Sequence, residues 1–226
     1  MSIRLPLIVS LLLVAAMAVL SAWAWNAIPP TAQIPIHWGM NGEANGFAGR
    51  DRALTMGPLV VLGLALVFAV IPRIEPRRFN LASSAKFYRA AWIGTLCLLA
   101  VIHTAVVLNA LHIGASAREF VMPGVAILFI LIGNYMGKTR SNFFAGIRTP
   151  WTLSSDYSWE KTHRLTGRLF MLAGTATLVA FFVLNAKLAA EIMVAGVLAS
   201  ALAGIIASYV YWRRDPSRHS SDGAPE

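Results

Sequence analysis

Residues 133–167 read GNYMGKTRSNFFAGIRTPWTLSSDYSWEKTHRLTG, a polar, aromatic and cationic stretch set between two apolar runs. A plain connector between membrane helices needs only a few turn residues. This one carries Asn134, Asn142, Gly146, Arg148, Thr149, Pro150, Trp151, Trp159, Thr162 and His163. With grease on both sides, it marks a point where the chain leaves a bilayer and re-enters it. Chemistry beyond anchoring is concentrated here.

The composition around it agrees. Of 226 residues, 57% are hydrophobic and only 13% charged, with a mean hydropathy of +0.63. Soluble domains carry about 25% charged residues. Six apolar runs, at 5–27, 54–71, 90–111, 120–136, 165–184 and 189–212, each approach the roughly 17–25 residues that cross hydrocarbon as a helix. The expected fold is an all-α membrane protein, a bundle of about six transmembrane helices.

Fifteen of the nineteen Lys and Arg fall before the first run, between the second and third, between the fourth and fifth (with Arg168 at the start of the fifth), or after the sixth. Arg50, Arg52, Arg118 and Lys187 fall on the other side. Because cationic loops stay in the cytoplasm, both termini and residues 137–164 are expected there, and loop 28–53 outside. The net charge of +9 is thus read as topology and contact with membrane lipid, not as direct nucleic-acid binding. Arg4, the first apolar run and Ala22-Trp23-Ala24 also fit a cleavable leader. The length of the run and its two tryptophans favour a retained anchor.

Four segments follow from this reading. Residues 1–72 form a two-helix unit around the external loop, and 73–119 a middle helix with its connections. Residues 120–212 form the C-terminal region, and 213–226 a polar tail expected to be disordered.

Within the connector, Gly133 to Gly137 make a natural helix exit. Asn142 and Arg148 are placed to bind backbone carbonyls or lipid phosphates while Phe143 and Phe144 dip into the interface. Thr149 precedes Pro150, which pushes it out of the helical region and predicts an extended turn. Ser154 or Ser155 is a candidate N-cap, with Asp156 in the first turn. Trp159, His163 and Gly167 then share one helix face, and Glu160 and Arg164 have ion-pair spacing. Two readings stay open: an interfacial plug that closes the bundle, or a surface for a partner. His163 has no acid or nucleophile at fixed spacing, so no reaction class is supported and enzymatic activity is not expected.

In the external loop, Ile34 to Trp38 read as extended, and Asn41-Gly42 and Asn45-Gly46 as turns. His37 and Glu43 alone make too few ligands for a metal site. Cys97 is the single cysteine, so neither a disulfide nor a cysteine metal motif is possible, and no cofactor is expected. His103, Thr104 and Asn109 lie inside the third run, where polar groups are either structural or a pathway. Gly196, Ser200 and Gly204 offer a close helix-packing face.

The 133–167 stretch resembles the signature of the SdpI family. The loop sequence PIHWG-x-NGE, from Pro35 through His37 and Gly42 to Glu43, is similar to a domain of unknown function often joined to it. The resemblance implies a six-helix protein of the bacterial cytoplasmic membrane that protects the cell from a secreted, membrane-active peptide toxin. It further implies signalling, with the toxin met by the external loop and a repressor protein held at the cytoplasmic connector. The alternative is a small transporter or channel, for which His103, Thr104 and Asn109 are the candidate pathway.

Overall fold

The computed structural model describes residues 1–39, 43–113 and 117–217. The elements are α1 (Arg4–Trp25), β1 (Gln33–Trp38), β2 (Ala44–Gly49), α2 (Arg50–Ile74), α3 (Arg78–Ser83), α4 (Ala85–Ala110), α5 (Ala117–Met136), α6 (Pro150–Ser154), α7 (Asp156–Val183) and α8 (Ala186–Arg213). Six of them, α1, α2, α4, α5, α7 and α8, are long and apolar enough to cross a membrane. Leu12, Val19, Leu66, Leu172, Phe182 and Leu198 are each more than half exposed on their outer faces. Such a belt of exposed apolar side chains is stable in lipid and a liability in water.

The helices form two groups of three. α1, α2 and α4 pack together, α7 packs on both α5 and α8, and the α4–α5 contact joins the groups. Lipid tails are as apolar as leucine, so the association of these helices rests on close packing and buried hydrogen bonds. Trp92 at the centre of the first group shows both. Its ring stacks on Phe68 with centroids 5.5 Å apart, and its indole N–H donates to Ser10 Oγ at 3.0 Å. Where α5 meets α7, Gly133 and Gly167 cross backbone to backbone. A Cβ on either glycine would lie 2.5–2.6 Å from the other's carbonyl oxygen. Gly133 therefore serves this crossing, and the helix exit is displaced to Gly137.

Three local readings are corrected. Asn45-Gly46 is no turn: both lie in β2, which pairs antiparallel with β1, Gln33 opposite Gly49 and His37 opposite Gly46. Gly42 and Asn41 fall outside the described residues. Thr149 is extended as expected, but Pro150 opens α6 instead of a turn. Thr149 caps α6 in a reciprocal pair with Thr152, and proline suits the first helical position because its missing N–H has no partner there anyway. The tail expected from 213 onward is anchored at Asp215, which is buried and accepts a 2.5 Å hydrogen bond from Ser155.

Both ends of the described chain lie at one end of the bundle, with the 137–155 connector. Arg89 donates to the Ser2 carbonyl at 3.0 Å, and Thr149 reaches Ser208 at 3.0 Å. This is called the basic end below, and the opposite one the hairpin end.

Candidate functional site

At the basic end, a loop of ten or so residues is held in shape by buried polar groups. Asn142 is fully buried and organises its own turn. Its carboxamide oxygen accepts from the Phe144 and Ala145 N–H groups at 3.1 and 2.8 Å, and its NH2 donates to the Arg140 carbonyl at 2.9 Å. Gly146 follows with φ at +102°, a region that suits glycine. There the chain passes directly over the His163 imidazole. The Ile147 N–H donates to His163 Nε2 at 2.9 Å, so Nδ1 carries the proton and donates to the Trp159 carbonyl at 2.7 Å. The imidazole stacks on the Trp159 ring at 4.0 Å, and that indole N–H donates to the Thr139 carbonyl at 3.1 Å. One turn of α7 thus grips both ends of the loop.

The α2–α4 connection supplies the other grip. Glu75, buried among these groups, accepts from the Arg77 N–H at 2.8 Å and the Phe143 N–H at 3.0 Å. Arg77 bonds the Ser141 hydroxyl, donates to the Leu153 carbonyl at 3.1 Å, and lies 4.9 Å over the Phe143 ring. Asn80 and Ser84 add bonds to the Ser141 carbonyl and the Arg140 N–H, both 2.8 Å. On the far side α8 closes the assembly: Ser158 donates to the Ser208 carbonyl at 2.7 Å, and Trp151 meets Tyr209 at 5.1 Å.

The expected site residues therefore divide. Asn142, Trp159, Thr162 and His163 are interior; Asn142, Trp159 and His163 hydrogen-bond the loop, whereas the Thr162 hydroxyl has no partner. Gly146, Thr149 and Trp151 are half-buried, while Arg148 and Pro150 are exposed. Arg148 donates to the Phe143 carbonyl at 2.8 Å, and the Phe143 and Phe144 side chains of the same loop are exposed. Asn134 is exposed on α5 and takes no part in this network. The Glu160–Arg164 pair forms at 2.7 Å, exposed on both sides, and Ser155 is the cap of α7. Glu75, Arg77, Asn80, Ser84 and Asp215 were not anticipated. Glu75 did carry a signal: it is the one carboxylate between Asp51 and Glu119.

Chemically, this assembly binds backbone and displays a surface. Both His163 nitrogens are committed to main chain, leaving none for acid–base work in this arrangement. Among the described residues no three His, Cys, Asp or Glu side chains gather where a metal ion could sit.

At the hairpin end, β1 and β2 cover the bundle. His37 Nδ1 lies 2.5 Å from the Asn45 carboxamide oxygen, a cross-strand pair made possible by Gly46 against the His37 Cβ. Arg50 reaches back to the Trp25 and Ile28 carbonyls and stacks over Trp25, anchoring the loop to the end of α1. Pro35 lies in β1, and exposed Glu43 precedes β2. Beneath the hairpin is a mainly apolar cavity of about 420 Å³, walled by Ile36, Trp38, Ile102, Met122 and Met193, with Lys187 also in its lining.

His103 and Thr104 of the third span both have hydrogen-bond partners within the bundle. The Ser21 hydroxyl donates to the Leu54 carbonyl at 2.7 Å, so His103 Nε2, 2.9 Å away, donates to Ser21. Thr104 is bonded back to the Ala100 carbonyl.

Comparison with known proteins adds to this geometry. Residues 138–212, which include most of the connector and all of α6, match the SdpI/YfhL protein family. Residues 12–62, which include the hairpin, match a domain of unknown function, DUF1648. The chain is 26% identical over 207 residues to the protein named Immunity protein SdpI of Bacillus subtilis strain 168, covering 92% of this chain and 96% of that one. No solved structure matches. With six helices long and apolar enough to cross a membrane and near full-length similarity to a bacterial relative, the chain is a multi-pass bacterial membrane protein, similar to the SdpI/YfhL family in its C-terminal third and to DUF1648 near its N-terminal end.

Proposed function

We propose that this protein confers immunity to a secreted, membrane-active peptide toxin, with the basic end cytoplasmic and the hairpin end outside. The carrying observation is the near full-length similarity to an immunity protein, which spans hairpin, bundle and connector alike. The geometry supports a division of labour. The cavity under the hairpin offers a toxin an apolar slot near Lys187, at the end where a secreted peptide arrives. The opposite end displays Arg148, Phe143, Phe144 and Pro150, an aromatic and cationic face suited to a cytoplasmic repressor protein. Residues 1–72 and 120–212 then act as the toxin-facing and partner-facing units. A transporter gains nothing from His103 and Thr104, whose hydrogen bonds are spent within the bundle.

Protection is tested by expressing the protein in sensitive cells and challenging them with a purified membrane-active peptide toxin, reading membrane depolarisation. Wild type should protect. Val194→Trp, which fills the cavity from an exposed position, should not; Arg148→Ala should protect yet fail to recruit the repressor. Equal depolarisation with and without the wild-type protein refutes the immunity reading.

A further inference from the structure

The outer face of α4 carries two apolar slots that meet at Cys97 and Val101. One lies between α4 and α5, about 610 Å³, and runs from Lys86 and Arg89 past Ile93 and Leu128 to Val101. The other lies between α1 and α4, about 590 Å³, and continues toward Leu108 and Phe120. Together they track the membrane thickness.

They differ in charge. The second slot has no charged residue in its lining, whereas the first opens at the basic end between Lys86, Arg89 and Tyr135. Lys138 sits 5.5 Å over the Tyr135 ring, adding a third cation at this mouth. Arg89 is held in place by its bond to the Ser2 carbonyl. No carboxylate opposes them on these two helices: α4 has none, and Glu119 of α5 lies at the hairpin end. The length fits as well. Fifteen residues separate Lys86 from Val101, about 22 Å along a helix, which is close to half of a bilayer roughly 40–45 Å thick with its headgroups. The slot therefore runs from headgroup level to the midplane, cationic at the first and apolar to the second.

We infer that the α4–α5 slot binds one anionic phospholipid of the basic-end leaflet, its phosphate at Lys86 and Arg89 and an acyl chain along Ile93 and Leu128 toward Val101. The lipid seals the seam between the two helix groups. This assignment is independent of the immunity reading.

The test is native mass spectrometry of the full-length protein in detergent with phosphatidylglycerol or phosphatidylcholine of matched chains. Wild type should retain one phosphatidylglycerol in preference to phosphatidylcholine. Each cation removed lowers that preference about fivefold, so Lys86→Gln loses fivefold and Lys86→Gln with Arg89→Gln about thirtyfold. Lys86 is exposed, so its single replacement leaves folding intact and keeps the question answerable if the double variant does not fold. In a second arm, phosphatidylglycerol with a chain-end diazirine should cross-link near Val101 and Ile127, and Ala90→Trp should abolish that product. Unchanged selectivity in Lys86→Gln, or cross-links spread over the α1 and α8 faces, overturns the assignment.

Discussion

Replacing Gly146 with alanine tests how the connector is held. Two separate penalties apply. At φ +102° any Cβ strains the backbone, by about 1–2 kcal/mol. That Cβ would also lie 2.2 Å from His163 Nε2, far inside contact distance. The ring must move, and the Ile147 N–H then loses the acceptor it meets at 2.9 Å. A buried donor left without a partner costs about 1–3 kcal/mol. Gly146→Ala should therefore destabilise the protein by about 2–5 kcal/mol, and His163→Ala by at least the same donor penalty. The informative quantity is the coupling. In the double variant the ring is gone, so the clash vanishes and the orphaned Ile147 N–H is counted once. The double loss should fall short of the sum of the singles by about 1–3 kcal/mol. Reversible denaturation in mixed micelles, followed by far-UV circular dichroism, measures all four corners of the cycle. Additive losses would refute the contact between loop and imidazole. A Gly146→Ala variant as stable as wild type would also remove the positive-φ turn from the argument.

Nitrogen-15 NMR of the His163 ring should show the proton on Nδ1; a proton on Nε2 contradicts the Ile147 bond. Glu75→Ala leaves the Arg77 and Phe143 N–H groups unpaired, so it should cost about 1–3 kcal/mol for each donor that water does not reach, and Phe143 amide exchange should accelerate; unchanged exchange dismisses Glu75 as a clamp. Gly167→Val should weaken the α5–α7 crossing by about 1–3 kcal/mol or more, because the obstacle is the Gly133 carbonyl, which cannot rotate away; a neutral melt would argue that the helices do not cross there. In a Cys97→Ala background, a membrane-impermeant maleimide should label Phe47→Cys on intact cells and miss Lys138→Cys, and the reverse pattern would invert the topology.

Much of this architecture is legible in the sequence because membrane insertion is a local property. Each span needs its own run of apolar residues, so hydropathy finds all six without knowledge of packing. Local capping was equally readable: Ser155 before Asp156, and Glu160 four residues before Arg164. The hairpin was half legible. β1 has the β-branched and aromatic residues of a strand, but β2 reads Ala-Asn-Gly-Phe-Ala-Gly, a composition that says turn. Its pairing with β1, with Gly46 against His37, outweighs that propensity. The connector shows the opposite limit. Its residues stood out, yet which of them face inward could not be read, because their partners Glu75, Arg77 and Asn80 lie about sixty residues upstream. No periodicity links those segments.

The two ends of the bundle differ in what holds them, and this constrains any sensing role. The basic end is tied by hydrogen bonds among four chain segments, whereas the hairpin end rests over a largely apolar cavity. Buried polar networks favour one arrangement, since a half-satisfied alternative is expensive. A ligand at the hairpin end can influence the other end only by favouring one of two arrangements that both ends distinguish. α8 meets that requirement. It lines the cavity with Met193 and Val194, and fourteen residues on, about 21 Å along the helix, Ser208 accepts from Ser158 and Thr149. A small axial or rotational shift of α8 would strain these bonds and move Thr149, the cap from which Arg148 and the exposed loop project. A Ser208→Ala variant removes the Thr149 contact while leaving the Ser158 bond to the backbone carbonyl in place. It should therefore preserve the bundle and the cavity and reduce any effect of a hairpin-side ligand on Phe143 amide exchange. If that effect survives at full size in Ser208→Ala, the Thr149 contact is not the link, and the path must run instead through α5, where Met122 lines the cavity and Met136 ends at the loop.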